Sequence, residues 1–236
     1  MHAARVGAGA SSKRCCADAL DDPARMARED NAVGKRIQAW AFEHHGDAMQ
    51  AALAELTAGG QDVVLGDADL QLVATWMLND RELAGGGTPA QRYARRDDIH
   101  ADERDVARRI ATARLGILRV ISVQPGRWIE LEELPDGEAM HVISHDVSRT
   151  VRPHDLLVGR LMDGPPAPSL WAPVAMLTRE TDRELIDLLD ARIKSLGLRD
   201  EPGALAAAMH AASREITVLL APGLRRTGVH RRAASV

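Results

Sequence analysis

The chain has 236 residues, 45% hydrophobic and 27% charged, with a formal net charge of −4. Such a composition supports an ordinary buried core, and its slight acidity excludes a general attraction to nucleic acid or to an anionic membrane surface. One Phe, one Tyr and four Trp leave that core to Leu, Val, Ile, Ala and Met.

No apolar run approaches the roughly 20 residues needed to span a bilayer, and residues 1–10 lack the apolar stretch of a signal peptide, so a cytoplasmic protein with no membrane partner is expected. The basic residues are nearly all Arg, the lysines being Lys13, Lys35 and Lys194, which reads as the coding bias of a GC-rich genome before phosphate recognition.

Residues 1–22 show no apolar periodicity and predict a flexible lead-in. Within them ARVGAGASSKRCC resembles the SEC-C motif, a zinc-binding segment of the form Cys-x-Cys-Gly-Ser-Gly, a basic spacer, then Lys-x-Cys-Cys or Cys-His. Aligned on Cys15 and Cys16, Gly7 and Gly9 fall on the motif's glycines and Lys13 on its lysine, but Ala4 and Val6 stand at the first two ligand positions. Tetrahedral zinc takes four N or S ligands, so the resemblance implies zinc only where His2 or another chain completes the set. A vestigial motif with two free thiols and no cofactor is the plainer expectation.

From 23 to 115 the pattern is helical. Val33, Ile37, Trp40, Ala41, His44, Ala48 and Leu53 recur at three- and four-residue spacings, with a break at Gly46-Asp47 and a stop at Gly59-Gly60. Adjacent side chains on a helix point about 100° apart, so His44 and His45 read as a helix-end pair with one buried ring rather than as joint metal ligands. Asp67 reads as the cap of a further helix with an inward stripe of Leu70, Val73, Ala74 and Met77, widened by Leu72 and Trp76. Gly85-Gly86-Gly87-Thr88-Pro89 lacks the preceding strand and the lysine of a phosphate loop. Thr88 as N-cap, Pro89 at N1 and Gln91 at N3 predict a capping box instead. A helix over 101–115 turns Val106, Ile110 and Ala113 inward and leaves a mixed-sign face to solvent.

Strands follow. One over 116–123 reads as buried on both faces, and Pro125-Gly126 fits a type II turn. A hairpin joins 127–134 to 138–144 through Pro135-Asp136-Gly137. Another strand, over 155–162, is entered through Arg152-Pro153-His154-Asp155, and a last one covers 170–176. Thr181 to Glu184 reads as a capping box for a helix ending at Gly197, and a second helix over 204–220 stops at Pro222-Gly223. The fold class is therefore α+β: a helical part at 23–115, a small five-stranded SH3/OB-like β-barrel at 116–176, two C-terminal helices at 177–221, and a disordered basic tail at 222–236. That tail carries Arg225, Arg226, Arg231 and Arg232 without an acid.

The order of parts resembles a group of bacterial SEC-C-containing proteins of unassigned function. Their pattern has a Trp-containing helix, a Gly-Thr-then-helix segment, and an Arg-x-Gly-Asp-Leu-Leu turn into a strand. Trp76, Gly87-Thr88 and Arg152-Pro153-His154-Asp155-Leu156-Leu157 stand at those positions here, with His154 in place of the glycine. The resemblance implies zinc only through the motif that has decayed, and brings no catalytic residues.

The leading expectation is a non-catalytic interaction or adaptor protein for a protein partner, with Trp128, Arg152, His154, Asp155 and Trp171 on the barrel as its surface. The alternative is nucleic-acid binding, using Trp128 and Trp171 as stacking platforms and the basic tail for phosphate. A second alternative is a metal-dependent hydrolase built on His141, His145 or His44. Residues four apart in an extended segment share a face, which unites His141 and His145 but turns Asp146 away from both.

Overall fold

The computed structural model describes residues 23–57, 64–135, 137–164, 167–198, 201 and 203–225. Cys15, Cys16, His2, the Gly59-Gly60 stop, and Arg226, Arg231 and Arg232 lie outside the described residues. Helix α1 (Pro23–Leu56) is interrupted at His45, whose backbone is non-helical (φ −138°, ψ 30°). The interruption rotates the second half of the helix. It buries Met49, Ala52 and Leu56 and leaves Leu53 exposed, where unbroken helical spacing turned Leu53 inward; His44, just before the interruption, is also exposed, contrary to the predicted stripe.

Helix α2 (Asp67–Asn79) is capped at Gly66, not Asp67; the Asp69 carboxylate accepts from the Gly66 N–H at 3.0 Å. Its buried face is Val73, Trp76 and Met77, and Leu70 is exposed, contrary to the predicted stripe. Helix α3 (Pro89–Ala94) has the predicted reciprocal box between Thr88 and Gln91. The preceding Gly85, Gly86 and Gly87 all have positive φ, which only glycine adopts without strain. The Arg92 guanidinium closes the loop by donating to Gly86 O at 2.9 Å. Helix α4 (Ala101–Ala111) buries Ala107 and Ile110 and ends early enough for the chain to enter a strand at Arg114.

The strands are β1 (Arg114–Gln124), β2 (Trp128–Glu133), β3 (Ala139–Ile143), β4 (Leu156–Met162) and β5 (Ser169–Met176). They close into a ring in the order β1-β2-β3-β5-β4. All neighbours are antiparallel except β3 and β5, which are parallel and meet only at Ile143 and Ser169. β1 serves two neighbours, pairing with β4 over its first half and β2 over its second, with an irregularity between Val120 and Ser122. Gly126 has φ 78°, as its type II turn requires. Leu118, Val120, Ile129, Leu131, Val142, Leu157 and Leu161 fill the interior. β1 is buried on both faces only over its first half, because Ile121 reaches solvent.

Two further cores hold the ring. The N-terminal helices pack around Ile37, Met49, Trp76 and Ile110, and this core takes in Met162 and Trp171 from the ring and Val218 and Leu224 from the C-terminal end. On another side, α5 (Arg179–Leu196), α6 (Ala204–Ala211) and α7 (Ser213–Leu220) cover Val158 and Ile117 with Leu185, Leu189, Met209 and Ile216. The cap of α5 is Thr178, with Thr181 at N3, three residues before the predicted box, and Gly197 ends the helix at φ 70°. The predicted second C-terminal helix is broken at Ala212 (φ −104°, ψ 11°) into α6 and α7. The tail begins later than expected, since Pro222–Arg225 forms a one-turn helix, α8, with Leu224 fully buried.

One buried and one partly buried ion pair cross these layers. Arg160 of β4 pairs with Asp80 at the end of α2, both about 5–6% exposed, and Arg109 of α4 pairs with Asp30 of α1 at 2.7 Å.

Candidate functional site

The outer face of the β2–β3 pair carries the most accessible aromatic arrangement on the ring. Ile129 and Leu131 point inward, so the period-two pleat turns Trp128, Glu130 and Glu132 outward. Opposite them on β3 stand Ile143, His141 and Ala139. Trp128 and His141 meet diagonally in a tilted contact, with ring centroids 4.7 Å apart and planes at 48°; His141 is exposed and Trp128 half-buried.

The face is acidic. The hairpin 128–143 contains Glu130, Glu132, Glu133 and Glu138 and neither Lys nor Arg. Arg119 of β1 bonds Glu132 at 2.8 Å and Arg114 bonds Glu133 at 2.9 Å, while Glu130 accepts only from the Ser122 hydroxyl at 2.7 Å. Among the described residues Glu130 and Glu138 have no ion-pair partner.

Where β3 meets β5, the first turns of α1 close a cleft of about 50 Å³ lined by Met26, Asp30, Ser144, His145, Ser169 and Trp171 among others. Here His145 Nδ1 lies 2.7 Å from the Asp146 carboxylate. Asp146 therefore turns toward His145, contrary to the strand-based expectation, because β3 ends at Ile143 and the chain has left extended geometry. The Ser169 hydroxyl, with its residue 4% exposed, has no hydrogen-bond partner among the described residues. Burial holds the Asp30 carboxyl above its ordinary range, against the opposing pull of Arg109. Sequence reasoning passed over Asp30 and Ser169, and no local signal marks them: the partner of Asp30 is 79 residues away.

The remaining predicted surface residues do not assemble with Trp128. The Arg152–Asp155 turn docks on the middle of β1, where His154 N donates to Val120 O at 2.8 Å and Val120 N donates to Asp155 O at 2.9 Å. The Asp155 carboxylate accepts from Arg152 N at 2.7 Å, and Arg152 and His154 are exposed. His154 has φ 76°, a left-handed conformation that suits glycine. Trp171 is not a surface platform: it is 6% exposed and lies beneath α1.

A second aromatic group surrounds the interruption in α1. Trp40 stacks on His44 (5.2 Å) and meets the edges of His45 (5.2 Å) and Tyr93 (5.6 Å), and the Arg96 guanidinium lies over Trp40 and Tyr93. Neither histidine is fully buried, which corrects the expected buried ring; burial, Arg92 and His44 together lower the His45 pKa. The Tyr93 hydroxyl donates to Glu103 at 2.6 Å, and burial with that bond pushes its pKa to about 12. These rings are spent on one another, so the cluster joins α1 to α3 and α4 rather than offering an open face.

Among the described residues no three His, Cys, Asp or Glu side chains gather as a metal site, and no helix is long and apolar enough to cross a membrane. Comparison of the chain with known protein families, with curated proteins and with solved structures finds no match.

Proposed function

We propose that the chain is a non-catalytic interaction protein whose working surface is the outer β2–β3 face of an OB-like barrel. The OB-like reading rests on the strand order β1-β2-β3-β5-β4, with β1 shared between two neighbours and the ring weakest between β3 and β5. Barrels of that kind bind through the face of strands 2 and 3 and the adjoining loops. The observation that carries the proposal is the accessible Trp128–His141 ring contact on an acid-lined sheet. An aromatic anchor beside polar groups is the composition of a binding centre.

The ring topology and the aromatic contact also favour a second reading, nucleic-acid binding. Against it stands the hairpin 127–144, with four glutamates against a single cationic side chain, Arg127. Phosphate binding draws its strength from neutralising cations, so the protein-partner reading is preferred.

The test is affinity recovery of the tagged full chain and its Trp128→Ala variant from the cell of origin, with proteins and nucleic acids both identified. A protein recovered by the wild type and lost with the variant supports the proposal. Nucleic acid recovered in a Trp128-dependent manner supports the second reading, and recovery that ignores Trp128 overturns both.

A further inference from the structure

The ring is closed between β3 and β5 by one pair, Ile143 with Ser169, and the hydrogen-bond parity of β3 shows which of its backbone groups lie beyond that pair. Ser144 N donates to Arg127 O at 3.2 Å, so Arg127 and Ser144 are a hydrogen-bonded pair of the antiparallel ladder. Such pairs alternate with non-bonded ones. With the observed register, Ile129–Val142 and Leu131–Met140 are bonded, whereas Trp128–Ile143, Glu130–His141 and Glu132–Ala139 are not. The backbone groups of Ile143, His141 and Ala139 therefore point away from β2. Ile143 N finds Pro168 O at 2.9 Å, where β5 begins. For the N–H and C=O of His141 and Ala139 there is no partner among the described residues, and both residues are solvent-exposed.

This leaves a short open edge with groups at alternate residues, the spacing at which an added strand forms its bonds. Trp128 and His141 lie on the outer face beside it. The small Ala139 side chain keeps the path from the edge to Glu132 low, Glu130 stands opposite His141, and Glu138 lies at the start of the strand. The charge on that path is negative, with Glu130 and Glu138 lacking cationic partners among the described residues.

We infer that the partner of this face is an extended, lysine- or arginine-bearing segment of another protein, which adds to the outer edge of β3 at Ala139 and His141. The inference rests on the interaction reading above and goes beyond it by naming the partner's conformation and charge.

The test uses the isotope-labelled full chain and a seven-residue synthetic peptide alternating lysine with valine, beside its glutamate counterpart. The lysine peptide is expected to slow amide exchange at Ala139 and His141 by about tenfold, with no effect from the glutamate peptide. An Ala139→Pro variant removes one edge donor at a position where an edge strand tolerates proline, and is expected to weaken peptide binding while leaving the melting temperature nearly unchanged.

Binding without protection of these two amides overturns strand addition. So do amides that already exchange slowly in the free protein. If a Trp128-dependent protein partner is recovered yet leaves both amides unprotected, the interaction reading stands and this inference falls. If a decathymidine oligonucleotide protects the face and the lysine peptide does not, both fall.

Discussion

Trp171 of β5 lies against Gly34 of α1 so closely that a Cβ at residue 34 would stand 3.4 Å from the indole Cζ2. That is ordinary contact distance, so the indole packs directly on the helix. The contact is one of those that join the N-terminal helices to the ring, with Met162 in the same core.

Trp171→Ala is therefore a core truncation, with a cost of about 3–5 kcal/mol. Trp128→Ala, half-exposed, is expected to cost far less. Urea denaturation of the two variants side by side checks the contrast; equal losses would contradict the placement of Trp171.

The Asp80–Arg160 pair makes a second link, with both side chains nearly inaccessible. Asp80→Ala strands a buried guanidinium and is expected to lose about 3–5 kcal/mol. Replacing both residues by apolar side chains of similar volume is expected to restore most of that loss. A urea-denaturation double-mutant cycle reads the coupling.

Tyr93 is the only tyrosine, so its phenolate absorbance reports one residue. The folded pKa lies near 12, above the ordinary value of 10.0. A raised pKa for an acid means that the folded state holds the proton more tightly. Its contribution to stability is complete below the unfolded pKa and is lost as pH rises from about 10 toward 12. An absorbance titration of native protein should show no phenolate step near 10, and that step should return in urea.

His154 sits at φ 76°, where a β-carbon is strained. His154→Gly is expected to stabilise the protein by about 0.5–1 kcal/mol, the relief of strain exceeding the added chain entropy of glycine. Thermal melting of the variant decides it.

Features governed by neighbouring residues were legible in the sequence. Thr88 with Gln91, Pro125-Gly126, the β2–β3 hairpin and Gly197 all act through contacts a few residues away, and the structure has them as read. Features set by distant packing were not. Nothing near Trp171 announces that α1 will cover it, so its aromatic ring read as a surface platform. The interruption at His45 shifts the helical phase, and with it the fates of Leu53 and Met49. The candidate site divides the same way: Trp128 and His141 were each noted, but their contact depends on the β2–β3 register and the open edge of β3 on where β5 arrives.

The central claim is that the Trp128–His141 face is where another protein binds. Its most direct measurement places a photoreactive phenylalanine analogue at position 141 of the full chain and identifies what is crosslinked in the cell of origin. The account predicts a protein adduct, lost when Trp128→Ala is added in a chain that still melts normally. An adduct with nucleic acid, or a protein adduct indifferent to Trp128, would contradict it.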